Sequence, residues 1–446
     1  MGAPTRAPRA VRRSAEVHTG PLYPGGRPVV TVRLDGRNLG ISGAGLLAQA
    51  ARLAHDRRLP LVASLGFPGA DLAEGVGVID EWGKAAREWA RCSGAVPLVA
   101  VVQGPVLSGA ALLIGMADAV VMTQAAVAYV SGPAAVAEVT GLSVRPAELG
   151  DAQVHGTRSG LATLVAPDMD GALAMVAYLL DFMPAHTDEL PPVLASVDPL
   201  SRLTPELRDL VPASATGSYD VRRVIEAVAD RRELLELRAN WAPQLVTALI
   251  RIGGAPVGAL ANQPQAMAGT LDIAASQKGA RFVAFCDAFN IPLLTLVDTP
   301  GFMPGRDLEW RGMIRHGAEL VFAYAEATVP RVCLVLRKAY GGAYIVMDSK
   351  AMGNDLCLAW PSAELAVMGA EGAVSIIHRR ASSEEKTKLA EEYRDQYLNP
   401  YIAAERGYVD MVIDPSETRR VVARCFAALA TKREHLAKRK HGNSPL

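Results

Sequence analysis

Two segments of this chain obey the same grammar at a fixed distance. Val329-Pro330-Arg331 leads into a β-branched apolar run, Val332 to Leu336, and then a small-residue turn, Tyr340-Gly341-Gly342-Ala343. Upstream, Ala95-Val96-Pro97 leads through Leu98 to Val102 into Leu107-Ser108-Gly109-Ala110. Pro330 lies 233 residues after Pro97, Gly342 lies 233 after Gly109, and Pro292 lies 232 after Pro60. An offset held with so little slip marks one unit duplicated. A chain of 446 residues is therefore read as two domains, each with its own core.

Each apolar run reads as a buried strand, and each turn feeds a helix, beginning in the second copy near Ala343. Glycines there admit a ligand close to the main chain. The first helical turn supplies unpaired N–H groups and the positive end of a dipole. Two such donors aimed at one oxygen make an oxyanion hole. A turn that serves only tight packing is the competing account, and the second copy weighs against it.

The remaining pattern fits strands alternating with helices. Strands are expected over 29–34, 61–65 and 293–297, with helices over 46–58, 74–91, 172–180, 282–289, 312–327 and 384–392. Gly36 to Gly45 reads as a loop, Asp220 as the N-cap of a helix from Val221, and the prolines from Pro184 to Pro199 as a linker. Strand, helix, strand, helix, strand predicts a parallel sheet with helical crossovers, hence an α/β fold. The domain limits expected are a disordered tail over 1–20, a first domain over 21–195 and a second over 196–446.

Charge narrows the partners. Lys plus Arg and Asp plus Glu number 46 each, so neither a nucleic-acid footprint nor a polybasic membrane anchor is expected. The stretch Val96 to Met122 is long and nearly uncharged, but Gln103, Gly104, Pro105, Gly109, Gly115 and Asp118 break it into strand, turn and helix rather than a membrane span. No apolar segment follows the arginines near the start, so no signal peptide is read. Five scattered cysteines without a C-x-x-C pair are expected to be reduced core thiols of a cytoplasmic protein, with no metal site. Conventional acid–base machinery is scarce. His155, His186 and His378 stand alone, and no G-x-S-x-G, H-E-x-x-H or Walker loop is present. A site built from main-chain donors suits stabilising an enolate or a tetrahedral oxyanion.

Several longer motifs carry a resemblance. Ala261-Asn262-Gln263-Pro264, Lys278-Gly279-Ala280-Arg281-Phe282-Val283, Val297-Asp298-Thr299-Pro300-Gly301-Phe302, Arg337-Lys338-Ala339-Tyr340-Gly341-Gly342-Ala343-Tyr344, Leu358-Ala359-Trp360-Pro361 and Ala404-Glu405-Arg406-Gly407-Tyr408 resemble the carboxyltransferase β subunit of biotin-dependent acyl-CoA carboxylases, of the propionyl-CoA and acetyl-CoA type. The resemblance covers nearly all of the second half and is thinner in the first. It implies two tandem crotonase-like domains, of the ClpP/crotonase kind, from an internal duplication. It implies a ring-shaped hexamer whose active site lies between the first half of one subunit and the second half of another. By resemblance Gly342 and Ala343 hold the biotin ureido oxygen, and Ser108 and Gly109 hold the acyl thioester oxygen. Ala110, Gly341, Tyr344, Ile345, Gly301 and Phe302 are then expected around the substrates.

The chain has neither a Met-Lys-Met biotinylation site nor an ATP-grasp loop, so carboxybiotin is expected from a biotin carboxylase and biotin carrier (alpha) subunit. The resemblance implies an acyl-CoA or a carrier-bound acyl thioester as the acceptor. Two departures fall on the acyl side: Ser108 stands where the family has glycine, and the loop at Gly66-Phe67-Pro68-Gly69 lacks an acidic, glycine-rich stretch. A decarboxylase, biotin-dependent or biotin-free, and a non-catalytic ring subunit stay open as alternatives.

Overall fold

The computed structural model describes residues 15–212 and 217–445 and forms two compact units, one ending at Tyr178 and one beginning at Leu179. The first unit holds β1 (Ala15–Pro21), β2 (Pro28–Asp35), β3 (Leu61–Phe67), β4 (Leu98–Leu107), β5 (Ala119–Thr123), β6 (Val127–Tyr129) and β7 (Leu164–Ala166). They form one sheet in the order β1-β2-β3-β4-β5-β7, with β6 paired to the last residues of β4. Only β1 runs antiparallel to its neighbour.

The second unit holds β8 (Leu234–Glu236), β9 (Leu245–Ile252), β10 (Ala255–Asn262), β11 (Leu293–Thr299), β12 (Arg331–Tyr340), β13 (Leu356–Ala359), β14 (Glu364–Ala366) and β15 (Met411–Val412). Their order is β15-β13-β12-β11-β10-β9-β8, and β14 pairs with the end of β12. The wiring of β9 through β15 repeats that of β1 through β7. Even the irregularities match. Between Leu65 and Phe67 the partner strand β4 advances from Val102 to Val106, and between Val297 and Thr299 β12 advances from Val335 to Ala339. Past these bulges β4 and β12 still pair with β3 and β11, at Val106 and Ala339, while on the other edge they exchange β5 and β13 for β6 and β14.

Every residue of β3 and β11 is buried, as central parallel strands covered on both faces require. Helix Ile41–Arg57 lays Ala44, Leu47, Ala51 and Ala54 on the first sheet and packs against helix Val76–Cys92. It begins inside the segment expected to be a glycine loop. In the second unit helix Ile273–Ala288 starts nine residues earlier than expected, because the Asp272 carboxylate accepts the Ala275 amide at 2.8 Å and caps it. Asp220 accepts the amide of Arg222 at 3.1 Å, ahead of helix Arg222–Val228.

Other expectations need correction. Residues 15–20 of the expected tail form β1, since Val17 packs on the core and the backbone pairs from Ala15↔Leu34 to Pro21↔Pro28; residues 1–14 lie outside the described residues. The proline-rich segment after Leu180 has no helix or strand before Pro205, yet it is bound to the second unit: Leu194 N–H donates to Gly254 O at 3.1 Å and Asn290 Nδ2 to Thr187 O at 2.6 Å. All five cysteines are free and buried. Among the described residues no helix is long and apolar enough to cross a membrane.

Candidate functional site: two amide cradles

In the second unit β12 does not stop at Leu336 but continues to Tyr340, and helix Gly341–Val346 follows with no intervening loop. Gly341 makes the corner. Its φ is +57°, and a Cβ there would stand 3.0 Å from Val367 O, so both the backbone region and the close approach demand glycine. The amides of Gly342 and Ala343 fall in the first turn, where the helix offers them no carbonyl, and no side chain caps that end. Gly342 is exposed, while the Ala343 methyl is fully buried. A Cβ on Gly342 would meet only Phe302, at 3.6 Å.

Phe302 reaches that position because Leu271 bridges it: Leu271 N–H donates to Gly301 O at 3.2 Å and Met303 N–H to Leu271 O at 2.8 Å. Gly342 and the half-exposed Ile345 border two cavities. One, of about 520 Å³, is lined by Tyr344, Lys350, Leu365, Val367 and Arg406; the other, of about 500 Å³, by Phe302, Met313, Ile314, Gly317 and Val321. Gly341, Gly342, Tyr344, Ile345 and Phe302 are thus brought together. Gly301 lies outside both linings and acts through the loop that presents Phe302.

The first unit repeats the corner with a serine. Ser108 sits at φ 72°, ψ −167°, a region occupied almost only by glycine. Ser108 therefore corresponds to Gly341, at the 233-residue offset. Its N–H donates to Tyr129 O at 3.0 Å through the β4–β6 pairing, so it is not available to an acyl oxygen, contrary to expectation. The first-turn amides are those of Gly109 and Ala110, the counterparts of Gly342 and Ala343. Gly109 is half-buried, and a Cβ there would meet Trp82 at 3.5 Å. Beside this turn lies a cavity of about 430 Å³ lined by Leu112, Tyr129, Val130, Val136, Leu149 and His155.

His155 is occupied at both nitrogens. Its Nε2 meets Ala128 O at 2.8 Å, and a carbonyl can only accept, so the proton sits on Nε2 and Ser159 Oγ donates to Nδ1 at 2.7 Å. His186 pairs with Glu189 at 3.0 Å, and His378 is exposed away from both cradles' cavities. None is positioned as a base.

Several motif residues turn out to hold the frame. Asp298, at the end of β11, is buried and accepts from Arg337 Nε at 3.1 Å, Tyr219 Oη at 2.9 Å and the Lys338 amide at 3.2 Å. Burial pushes its carboxyl up from the usual range, against the pull of Arg337 and Tyr219. This network ties the bulge of β12 to β11 just before the cradle. Asp287 accepts the amides of Thr328 and Val329 at 2.6 and 3.1 Å and fixes the entry to β12. Lys278 donates to the carbonyls of Arg238, Trp241 and Ala242 at 2.8–3.3 Å, while burial lowers its ammonium to about 7.

Sequence reasoning missed a brace common to both units. Leu98 N–H donates to Asp118 Oδ2 at 2.9 Å and Asp118 N–H returns a bond to Leu98 O at 2.8 Å; Arg331 and Asp355 repeat it at 2.8 and 3.1 Å. The carboxylates that follow each turn's helix, Asp118 in the first unit and Asp348 and Asp355 in the second, were the available signal. Among the described residues no group of three metal-ligating side chains is assembled.

Two parallel-rich sheets, each ending its central strand in a sharp turn that opens a helix, define a crotonase-like fold. Within that class the chain belongs to the carboxyl transferase domain family, whose model matches residues 31–444, and it is a carboxyltransferase. It is 45% identical over 430 residues to the propionyl-CoA carboxylase beta chain of Saccharopolyspora erythraea, covering 92% of this chain and 79% of that one. It is 41% identical over 414 residues to the methylmalonyl-CoA decarboxylase subunit alpha of Veillonella parvula, covering 93% and 81%. A crystal structure of transcarboxylase 12S, described as a hexamer with methylmalonyl-coenzyme A and methylmalonic acid bound, superimposes with a TM-score of 0.94 at 41% identity, covering 97% of this chain and 85% of that one.

Proposed function

We propose that this protein moves a carboxyl group between a biotin carried on a partner subunit and the α-carbon of an acyl-CoA. The amides of Gly342 and Ala343 hold the ureido oxygen of the biotin, and those of Gly109 and Ala110 hold the thioester oxygen. Each pair steadies negative charge where it develops, the largest single contribution such a site can make. In the carboxylating direction the C–N bond of carboxybiotin breaks, the α-proton passes to the biotin nitrogen, and a new C–C bond forms at the thioester α-carbon. No side-chain base is required, which agrees with histidines that are already engaged.

The observation that carries this reading is the exposed, uncapped first turn at Gly342, backed by Phe302 and set between two apolar cavities. Ile345 on its rim favours a short apolar acyl chain. Exposed Leu72, Val76 and Leu112 in the first unit, and Trp310 and Ile314 in the second, lie on surfaces suited to other copies of the chain, and a hexamer like that of transcarboxylase 12S is the assembly proposed. The biotin carboxylase and carrier functions come from an alpha subunit, and the setting is the cytoplasm. Because a decarboxylase subunit is among the relatives, the same site run backwards removes a carboxyl group.

The test is a transfer assay. The protein is mixed with a carboxylated biotin carrier bearing labelled carboxyl and a panel of acyl-CoA and acyl-carrier thioesters. Label is expected on a short acyl-CoA, and avidin should stop the transfer. Avidin-insensitive turnover, or no label on any thioester, would refute the proposal.

A further inference from the structure

The joint that presents Gly342 carries an ionic clasp that its counterpart in the first unit lacks. Arg331 opens β12, and Asp348 stands just beyond helix Gly341–Val346, so the two residues bracket the cradle in sequence. They meet in the core: Arg331 Nη1 lies 2.6 Å from Asp348 Oδ1, with side chains 4% and 0% exposed. The other arm of the guanidinium donates to Met352 O at 3.2 Å and Gly353 O at 2.6 Å. Asn354 Nδ2 donates to Asp348 O at 2.5 Å, and Asp348 holds a left-handed φ of 59°.

The strand entering the cradle and the chain leaving it are thus gripped by one side chain. At the 233-residue offset the first unit has Leu98 and Gly115, which can form no such contact. That unit keeps the aspartate–strand brace without the clasp, so the fold of the joint does not need it. A buried ion pair is also a poor source of stability, since well-packed apolar residues of similar volume usually do as well or better.

We infer that Arg331 and Asp348 are positioning residues, which set the direction of helix Gly341–Val346 so that the Gly342 and Ala343 amides converge on one oxygen. This rests on the proposed role of that cradle. Neither residue lines the cavities beside Gly342, so they act through the helix rather than on substrate.

The test compares three variants in the assembled enzyme with its biotin carrier. Arg331→Met with Asp348→Leu fills the same core without the clasp. Its thermal midpoint should fall by no more than a few degrees, since Leu at the left-handed position 348 and the freed carbonyls of Met352 and Gly353 offset the gain from apolar packing, while kcat for transfer falls about a hundredfold, the size of loss that small misplacements of a reacting group produce. KM for acyl-CoA should move much less than kcat, because the thioester oxygen is held by the first unit's turn and Ile345 alone in this helix is assigned to the acyl chain. Asp348→Asn keeps an acceptor for Nη1 and should retain kcat within about threefold. If the double variant does not fold, Arg331→Lys, which loses the two-armed grip, should still cost about tenfold in kcat.

Amide hydrogen exchange over residues 341–347 provides a readout free of activity and should quicken in the double variant or in Arg331→Lys. An unaltered kcat in the double variant, a rise in KM matching the fall in kcat, or unchanged exchange over 341–347 would overturn the inference. If wild type itself transfers nothing, the functional reading fails, and exchange alone decides whether the clasp positions the helix.

Discussion

Replacing Ser108 by glycine should make the protein both more stable and faster on ordinary acyl-CoA. Ser108 holds φ 72° and ψ −167°, where a side chain other than glycine's costs about 1–3 kcal/mol. Its hydroxyl makes no capping hydrogen bond that would repay this. Glycine removes the strain but loosens the unfolded chain, which returns about 0.4–1 kcal/mol of the gain. The two ranges leave a net stabilisation of about 0–2.6 kcal/mol, about 1–2 kcal/mol around their centres. In a unit of this size that corresponds to a rise of about 2–8 °C in the midpoint of its thermal transition. The backbone bonds of the corner, Ser108 N–H to Tyr129 O and Ala111 N–H to Ser108 O, survive the change, so the turn keeps its shape. Calorimetry of wild type and Ser108→Gly measures the shift, and the label-transfer assay run on the same preparations measures the rate. A midpoint that stays put or falls would refute the strain argument. A risen midpoint with rates unchanged on every acyl-CoA would remove Ser108 from substrate choice.

Gly342→Val should leave the thermal midpoint within a few degrees, because only Phe302 lies near the new Cβ, yet reduce transfer about a hundredfold or more in the label assay. Its neighbour should behave differently. Gly341→Ala meets Val367 O at 3.0 Å and a disfavoured φ, so it is expected to lose about 1–3 kcal/mol in urea unfolding. Arg337→Leu leaves Asp298 buried without its cation and should cost about 3–5 kcal/mol by the same measurement.

The central strands and the duplication could be read from the chain because prolines, glycines and β-branched runs recur at one spacing. The cradle turn was legible for the same reason, although the donors of its first copy were not. Ser108 was assigned an open amide from its place in the turn, and only the pairing of β4 with β6, about twenty residues further along the chain, revealed that Tyr129 takes it. The end of β12 was hidden by Arg337 and Lys338, which look like surface residues until Asp298 supplies a buried partner. β1 escaped notice because its residues are mostly solvent-facing, and its strand character comes from backbone pairing with β2 rather than from its own apolar content. The start of helix Ile273–Ala288 was missed because small and polar residues, Ala275, Ser276 and Lys278, fill its buried face.

The reciprocal lock of Asp118 on Leu98, echoed by Asp355 on Arg331, has an implication for how this enzyme can change. A doubled scaffold whose hinge between strand and helix is secured twice by the same device lets one copy alter its corner residue without disturbing the other. On the roles proposed for the two cradles, tuning toward a new acyl group can then proceed at position 108 and its surroundings while the second copy keeps its corner unchanged.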